Sequence, residues 1–153
     1  MKKTILFLHG LESRPGGKKP AFLRESGFNV INPHLPAEDF IKSCDIAQEL
    51  VHTHSPDVVM GSSRGGAVAM AIDVKGAQLV LIAPAWVNFR GPSQISANTV
   101  ILHSQTDEVV SFANSVNLSM RSGATLITCG GDHRMNDSGV LKKLLEVVTD
   151  VCK

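Results

Sequence analysis

This sequence has almost no net charge, no long apolar run, few cysteines and a single tryptophan, and each scarcity removes a class of protein. Fifteen lysines and arginines against fourteen acids leave a formal charge of +1, so no field steers the chain onto nucleic acid. The three cysteines, Cys44, Cys129 and Cys152, are scattered and odd in number. That argues against a disulfide framework and for a reducing, cytoplasmic compartment. They lack C-x-x-C spacing and no histidine pair has H-E-x-x-H spacing, so no metal site is expected. Neither a G-K-[ST] ending nor a G-x-G-x-x-G run is present, which leaves a nucleotide site without support, and nothing calls for a cofactor. No apolar run approaches membrane-spanning length, so no membrane partner is expected. The start, Met1-Lys2-Lys3 before Thr4-Ile5-Leu6-Phe7-Leu8, looks superficially like a signal peptide. Its apolar run is too short and His9-Gly10 breaks it, so it reads as a first buried strand. Without repeats, low-complexity tracts or linkers, residues 1–153 read as one domain with a single core.

What is present is an alternation. Short apolar runs at Thr4–His9, Phe28–Asn32, Asp57–Gly61, Gln78–Ile82, Val100–His103 and Thr125–Cys129 are near-continuously hydrophobic, as strands buried on both faces must be. Between them lie segments with helical spacing: Phe40, Cys44, Ala47 and Val51; Val109, Phe112, Val116 and Met120; Leu141, Leu144, Val148 and Val151. A shorter first helix fits Gly16–Ser26. This order predicts an α/β fold, a mostly parallel sheet of about six strands joined by right-handed crossovers.

Ligands of such sheets sit at the carboxyl ends of the strands, so the residues just after each strand carry the chemistry. One of those ends, Gly61-Ser62-Ser63-Arg64-Gly65, fits G-x-S-x-G, a strand-to-helix elbow that exposes a serine hydroxyl. Its residues are common enough for chance to produce it about once in twenty such chains, so the other ends decide. Centring the pattern on Ser62 would require glycines at Met60 and Arg64, so Ser63 is the candidate nucleophile. A serine hydroxyl needs a base, and the base needs a partner that holds its tautomer. His133, in Gly130-Gly131-Asp132-His133, supplies the base. Asp107, in Ser104-Gln105-Thr106-Asp107, supplies the acid in preference to Asp132, because a residue adjoining the histidine usually points away from it.

The order Ser63, Asp107, His133, together with Leu8-His9-Gly10-Leu11-Glu12-Ser13 and His103-Ser104-Gln105-Thr106-Asp107-Glu108-Val109-Val110, resembles the α/β-hydrolase superfamily, in a small form without a cap domain. The resemblance runs through four segments that span nearly the whole chain. Ser104 and Ser111 stand where the family often has Gly and Pro, departures that touch turn geometry. The resemblance implies a three-layer α/β/α sandwich and an oxyanion hole made by the backbone N–H groups of Leu11 and Arg64. It also implies hydrolysis of a small or short-chain carboxylic ester or thioester through an acyl-serine. Retained scaffold with lost activity, leaving a binding protein, is the alternative.

The remaining residues divide between site and scaffold. His9 belongs to the His-Gly turn and is expected to bond backbone there, and His103 is expected to pack. His34 suits a turn, and His52 and His54 suit a helix C-terminus. The stretch Pro84–Asn98, where this superfamily inserts caps, is short. Trp86 and Arg90 in it, with Ser13 after the first strand, are candidate substrate contacts. Trp86 serves equally as an aromatic wall or as a small cluster closing the sheet edge. Arg14, Arg64 and Arg90 are expected to be solvated at the surface, with selection of an anionic substrate as the other reading.

Overall fold

Apolar residues alternate between two faces along each central strand, and that alternation builds the molecule. The computed structural model describes residues 1–11, 15–89, 91–92 and 95–153. Six strands, β1 (Thr4–Leu8), β2 (Asn29–Ile31), β3 (Val58–Ser62), β4 (Gln78–Ile82), β5 (Val100–His103) and β6 (Thr125–Thr128), form one sheet in the order β2-β1-β3-β4-β5-β6. Every pairing is parallel, so the sheet is wholly rather than mostly parallel.

Five helices cover both faces: α1 (Lys18–Glu25), α2 (Phe40–His54), α3 (Arg64–Ala71), α4 (Phe112–Ser122) and α5 (Ser138–Val151). Ile5, Phe7, Val58, Met60, Val80 and Ile82 point to one face and pack with Leu23 of α1 and Val140, Leu144 and Val148 of α5. Their neighbours Leu6, Leu8, Val59, Leu79 and Leu81 point to the other and meet Ala47 and Val51 of α2, Val68 of α3 and Leu118 of α4. The three layers follow from a period of two in the strands and one apolar stripe per helix. The N-termini of α2 and α5 are capped by Asp39 and Asp137, whose carboxylates accept from Lys42 N and Val140 N at 2.9 and 3.0 Å.

One predicted stripe is wrong. Val109 and Met120 are exposed, and α4 instead buries Ser115 and Leu118. Ser115 is buried because its hydroxyl is hydrogen-bonded to His103 of β5, a pairing that a count of apolar residues cannot anticipate. Strand ends shift by a residue or so; His9 leaves the ladder after Leu8 because its ring is engaged in the loop that follows.

From β1 the chain moves outward to β2, then crosses back over β1 to β3 and continues through β4, β5 and β6. The carboxyl ends of β1 and β3 therefore open a crevice where the loops diverge, the place at which such sheets bind ligands. Between β4 and β5 the described residues form neither helix nor strand, so no cap built from these elements covers the crevice. No helix among the described residues is long and apolar enough to cross a membrane.

Candidate active site

The elbow between β3 and α3 is shaped by how closely its backbone segments approach. A Cβ at Gly61 would collide with the Gly65 carbonyl, and one at Gly65 with the carbonyl of Leu8 on β1. At Gly66 it would lie 2.9 Å from the Pro84 side chain. The glycines thus let α3 start directly against the sheet. Ser63, at the tip, has φ 55° and ψ −117°, a conformation that costs a non-glycine residue about 1–3 kcal/mol. Four hydrogen bonds hold it: its N–H donates to Ile82 O at 2.9 Å, and its carbonyl accepts from Gly66, Ala67 and Ala85. Neighbouring β4 and its loop therefore impose the strain that turns the hydroxyl out of the backbone path.

Ser63, His133 and Asp107 come together from three strand ends. Ser63 Oγ lies 2.9 Å from His133 Nε2, and His133 Nδ1 lies 2.7 Å from Asp107 Oδ2. The Asp107 carboxyl is fully buried, whereas His133 keeps a fifth of its side chain exposed. Burial alone would oppose ionisation of Asp107. The hydrogen bond from His133 and those from the backbone N–H groups of Val110 and Val109, both 2.8 Å, outweigh it and hold the carboxyl below its ordinary range. A charged Asp107 requires Nδ1 of His133 to carry the proton, which leaves Nε2 free to accept from Ser63. Asp132 turns inward to its own loop, accepting from Met135 N at 3.2 Å.

His103 packs, as its sequence position suggests, but it also touches this chain of bonds. Its Nε2–H is shared between Asp107 Oδ2, the oxygen that His133 uses, and the Val110 carbonyl, at 2.9 and 3.1 Å. Its Nδ1 accepts from the Ser115 hydroxyl at 2.6 Å. Burial pushes its pKa down against the pull of Asp107, so the ring is neutral. Ser104, at the position where glycine is frequent, does more than turn the chain. Its buried hydroxyl donates to Gly130 O at 3.0 Å, and Thr106 Oγ1 donates to Gly131 O at 2.9 Å, tying the Asp107 loop to the His133 loop.

On the β1 side, Nε2 of His9 accepts from Leu35 N at 3.0 Å and its Nδ1–H donates to Gly10 O at 2.8 Å, fixing the turn that carries Leu11. Desolvation lowers the His9 pKa and keeps this ring neutral as well. The backbone N–H groups of Leu11 and Arg64 have no acceptor among the described residues, and both residues line the cleft above Ser63. That cleft encloses about 670 Å³, within the range of small-molecule sites.

Two expectations need correction. Trp86 does not line the cleft: it is buried in the core against α3 and α4, and its indole N–H donates to Asn114 O at 3.1 Å. Its size and its one polar atom are both satisfied inside, and Asn88 and Phe89 of the same loop form the cleft wall instead. Arg64 is not a solvated surface arginine. Its side chain is 1% exposed and lies over the stacked rings of Phe40 and Phe89 at 5.5 and 5.7 Å, donating to Pro36 O and Ser43 Oγ. Ser13, Arg14 and Arg90 lie outside the described residues. Several cleft residues, Lys19, Asn88, Arg134 and Asn136, have no signal in the sequence that marks them. Lys19 of α1 reaches the His133 loop, donating to Arg134 O and Asn136 Oδ1 at 2.7 and 2.9 Å, and no local spacing foretells a contact across more than a hundred residues.

No protein-family model matches the chain, and no curated protein matches it by sequence. Solved structures do match in shape. A hydrolase-type protein from Agrobacterium vitis S4 is 15% identical, with 99% of this chain and 88% of that one covered at a TM-score of 0.81. The mouse alpha/beta hydrolase domain-containing protein 10 is 17% identical over 97% and 89%, at 0.76. The esterase domain of a Rhodothermus marinus protein is 16% identical over 95% and 84%, at 0.71. The chain has the α/β-hydrolase fold.

Proposed function

We propose that this chain, with the fold of hydrolases, is a serine hydrolase that cleaves small or short-chain carboxylic esters or thioesters through an acyl-serine. The observation that carries the reading is the unbroken run of hydrogen bonds from Ser63 Oγ through His133 to a buried Asp107. In this reading Ser63 Oγ attacks the substrate carbonyl while His133 Nε2 takes its proton, and the ionised Asp107 steadies the imidazolium that forms. The negative oxygen of the tetrahedral intermediate is stabilised by the N–H groups of Leu11 and Arg64, the latter at the positive end of α3. His133 then protonates the leaving alcohol or thiol. A water molecule, deprotonated by the same nitrogen, attacks the acyl carbon and returns Ser63 to its free form. Small acyl groups are favoured because the described residues between β4 and β5 add no helix or strand that would extend an apolar channel for a long chain.

A fluorophosphonate probe tests the assignment directly. It is expected to attach to Ser63 in the wild-type protein, located by peptide mass spectrometry, and to leave Ser63→Ala unlabelled. Labelling that persists in folded Ser63→Ala overturns the nucleophile, and complete inertness of the folded wild type favours a binding protein.

A further inference from the structure

Lys19 is the cleft's most unusual side chain. A lysine 7% exposed is rare, because burying an ammonium away from water is costly unless its charge is answered. Here two of its three N–H groups go to neutral oxygens, of Arg134 and Asn136, and among the described residues no carboxylate lies within ion-pair distance. The third N–H has no acceptor among the described residues. Lys19 also stands between two hollows. It lines the cleft above Ser63 and a smaller chamber of about 70 Å³ beside it, room for about two water molecules or one carboxylate group. Gly10, Ser62 and Asn136 line both hollows, so the chamber opens beside the His9-Gly10 turn and the elbow itself. Among the described residues that line the cleft are Lys19, Arg64 and Arg134, and none of those described is acidic.

We propose that Lys19 determines specificity, its free N–H receiving a carboxylate of the substrate in the small chamber. The substrate class is then a short ester or thioester that carries a carboxylate a few bonds from the scissile carbonyl. This rests on Ser63 being the nucleophile. The carboxylate has two possible locations: on the acyl group, as in a monoester of a short dicarboxylic acid, or on the leaving alcohol, as in an acylated hydroxy acid. Either way it gives the buried ammonium a carboxylate partner that the described residues do not supply, and the bond is charge-assisted.

The experiment compares kcat/KM for monomethyl glutarate with that for dimethyl glutarate, and for acetoxyacetate with that for acetoxyacetamide, in wild type, Lys19→Gln and Asn136→Ala. One anionic substrate is expected to be preferred by about tenfold or more, the strength of one hydrogen bond to a charged group, and the favoured pair identifies the side. Lys19→Gln, which keeps a donor for the Arg134 carbonyl, is expected to abolish the preference. Asn136→Ala, which loosens the lysine without removing its charge, is expected to keep it. Equal turnover of charged and neutral substrates by wild type, or an unchanged ratio in Lys19→Gln, overturns the inference.

A second readout needs no variant. Desolvation lowers the Lys19 pKa to about 8, with Asp132 pulling the other way, so the wild-type preference is expected to fall as pH rises through 8. Among the described residues, the other titratable or cationic groups lining the two hollows are His9, Lys18, Arg64, His133 and Arg134. A preference that is flat from pH 6 to 9.5 counts against Lys19. Fluorophosphonate labelling separates the two readings: a labelled Ser63 with no carboxylate preference sinks only the role of Lys19, and an unlabelled wild type sinks both.

Discussion

The ends of β5 and β6 each bring a histidine to the same oxygen of Asp107, and the two rings differ in what surrounds them. His103, at the end of β5, is wholly buried, with both nitrogens committed to Asp107, Val110 and Ser115. His133, in the loop after β6, keeps a fifth of its side chain exposed and offers its second nitrogen to Ser63 in the cleft. Against the cost of burial, the bond from His133 and those from the Val110 and Val109 N–H groups keep Asp107 ionised, and His103 shares the same oxygen. Only the outer ring has a nitrogen facing the cleft, so in the proposed reaction only it is placed to exchange protons with a substrate. The contrast teaches that proximity to the acid does not make a base; a free and reachable nitrogen does.

The largest expected effects come from breaking the outer arm. Asp107→Asn, or His133→Ala, is expected to lower kcat by about 10⁴-fold or more, measured on a short-chain ester, while the protein stays folded by circular dichroism. Breaking the inner arm is expected to act mainly on the fold. His103→Leu deprives Asp107 of a donor and leaves the buried Ser115 hydroxyl without its partner, a loss of about 1–3 kcal/mol in urea unfolding. Its kcat is expected to drop by only about tenfold, and His103→Gln, which restores a donor to Asp107, to recover most of that. If His103→Leu costs as much kcat as His133→Ala, the division between the two rings collapses.

The same contrast predicts a pH signature. Burial places the folded pKa of His103 below 6.5, its ordinary value, and that of His9 likewise. Between those values the unfolded chain binds more protons than the folded one, so folding stability rises with pH there. Stability is expected to be intact above pH 6.5 and to decline as pH falls below it. The depressed pKa of Asp107 adds a further loss only below 3.8. His103→Gln is expected to flatten the first of these slopes, measured by urea unfolding at a series of pH values. The smallest effect belongs to the tie between the loops: Ser104→Gly removes the bond to Gly130 and is expected to cost about 1 kcal/mol.

The six strands and their parallel sheet were legible because strands buried on both faces are written as short, near-continuous apolar runs between helical segments, whereas their order across the sheet came only with the fold. Ser63 was legible for a related reason. Gly61, Gly65 and Gly66 mark where the backbone must pass within a Cβ of its neighbours. Asp107 and His133 followed from their positions at strand ends. The features that were not legible involve polar atoms satisfied over long distances. The burial of Ser115 depends on His103, the place of Trp86 depends on the Asn114 carbonyl, and Lys19 depends on a loop beyond position 130. Spacing along a chain records period and size, and a hydrogen bond between distant residues leaves no trace in either.

The sequence alone thus determined the layers of the sheet and the three residues whose side chains now form one chain of bonds, since hydrophobic period and glycine placement are local properties. The tertiary structure decided what surrounds them. It set the buried His103 on the same carboxylate oxygen as His133, and it turned Trp86 and Arg64 inward. It also carried Lys19 to the edge of a chamber beside Ser63. Those outcomes depend on burial and on partners far away in the chain, and both exist only once the chain has folded.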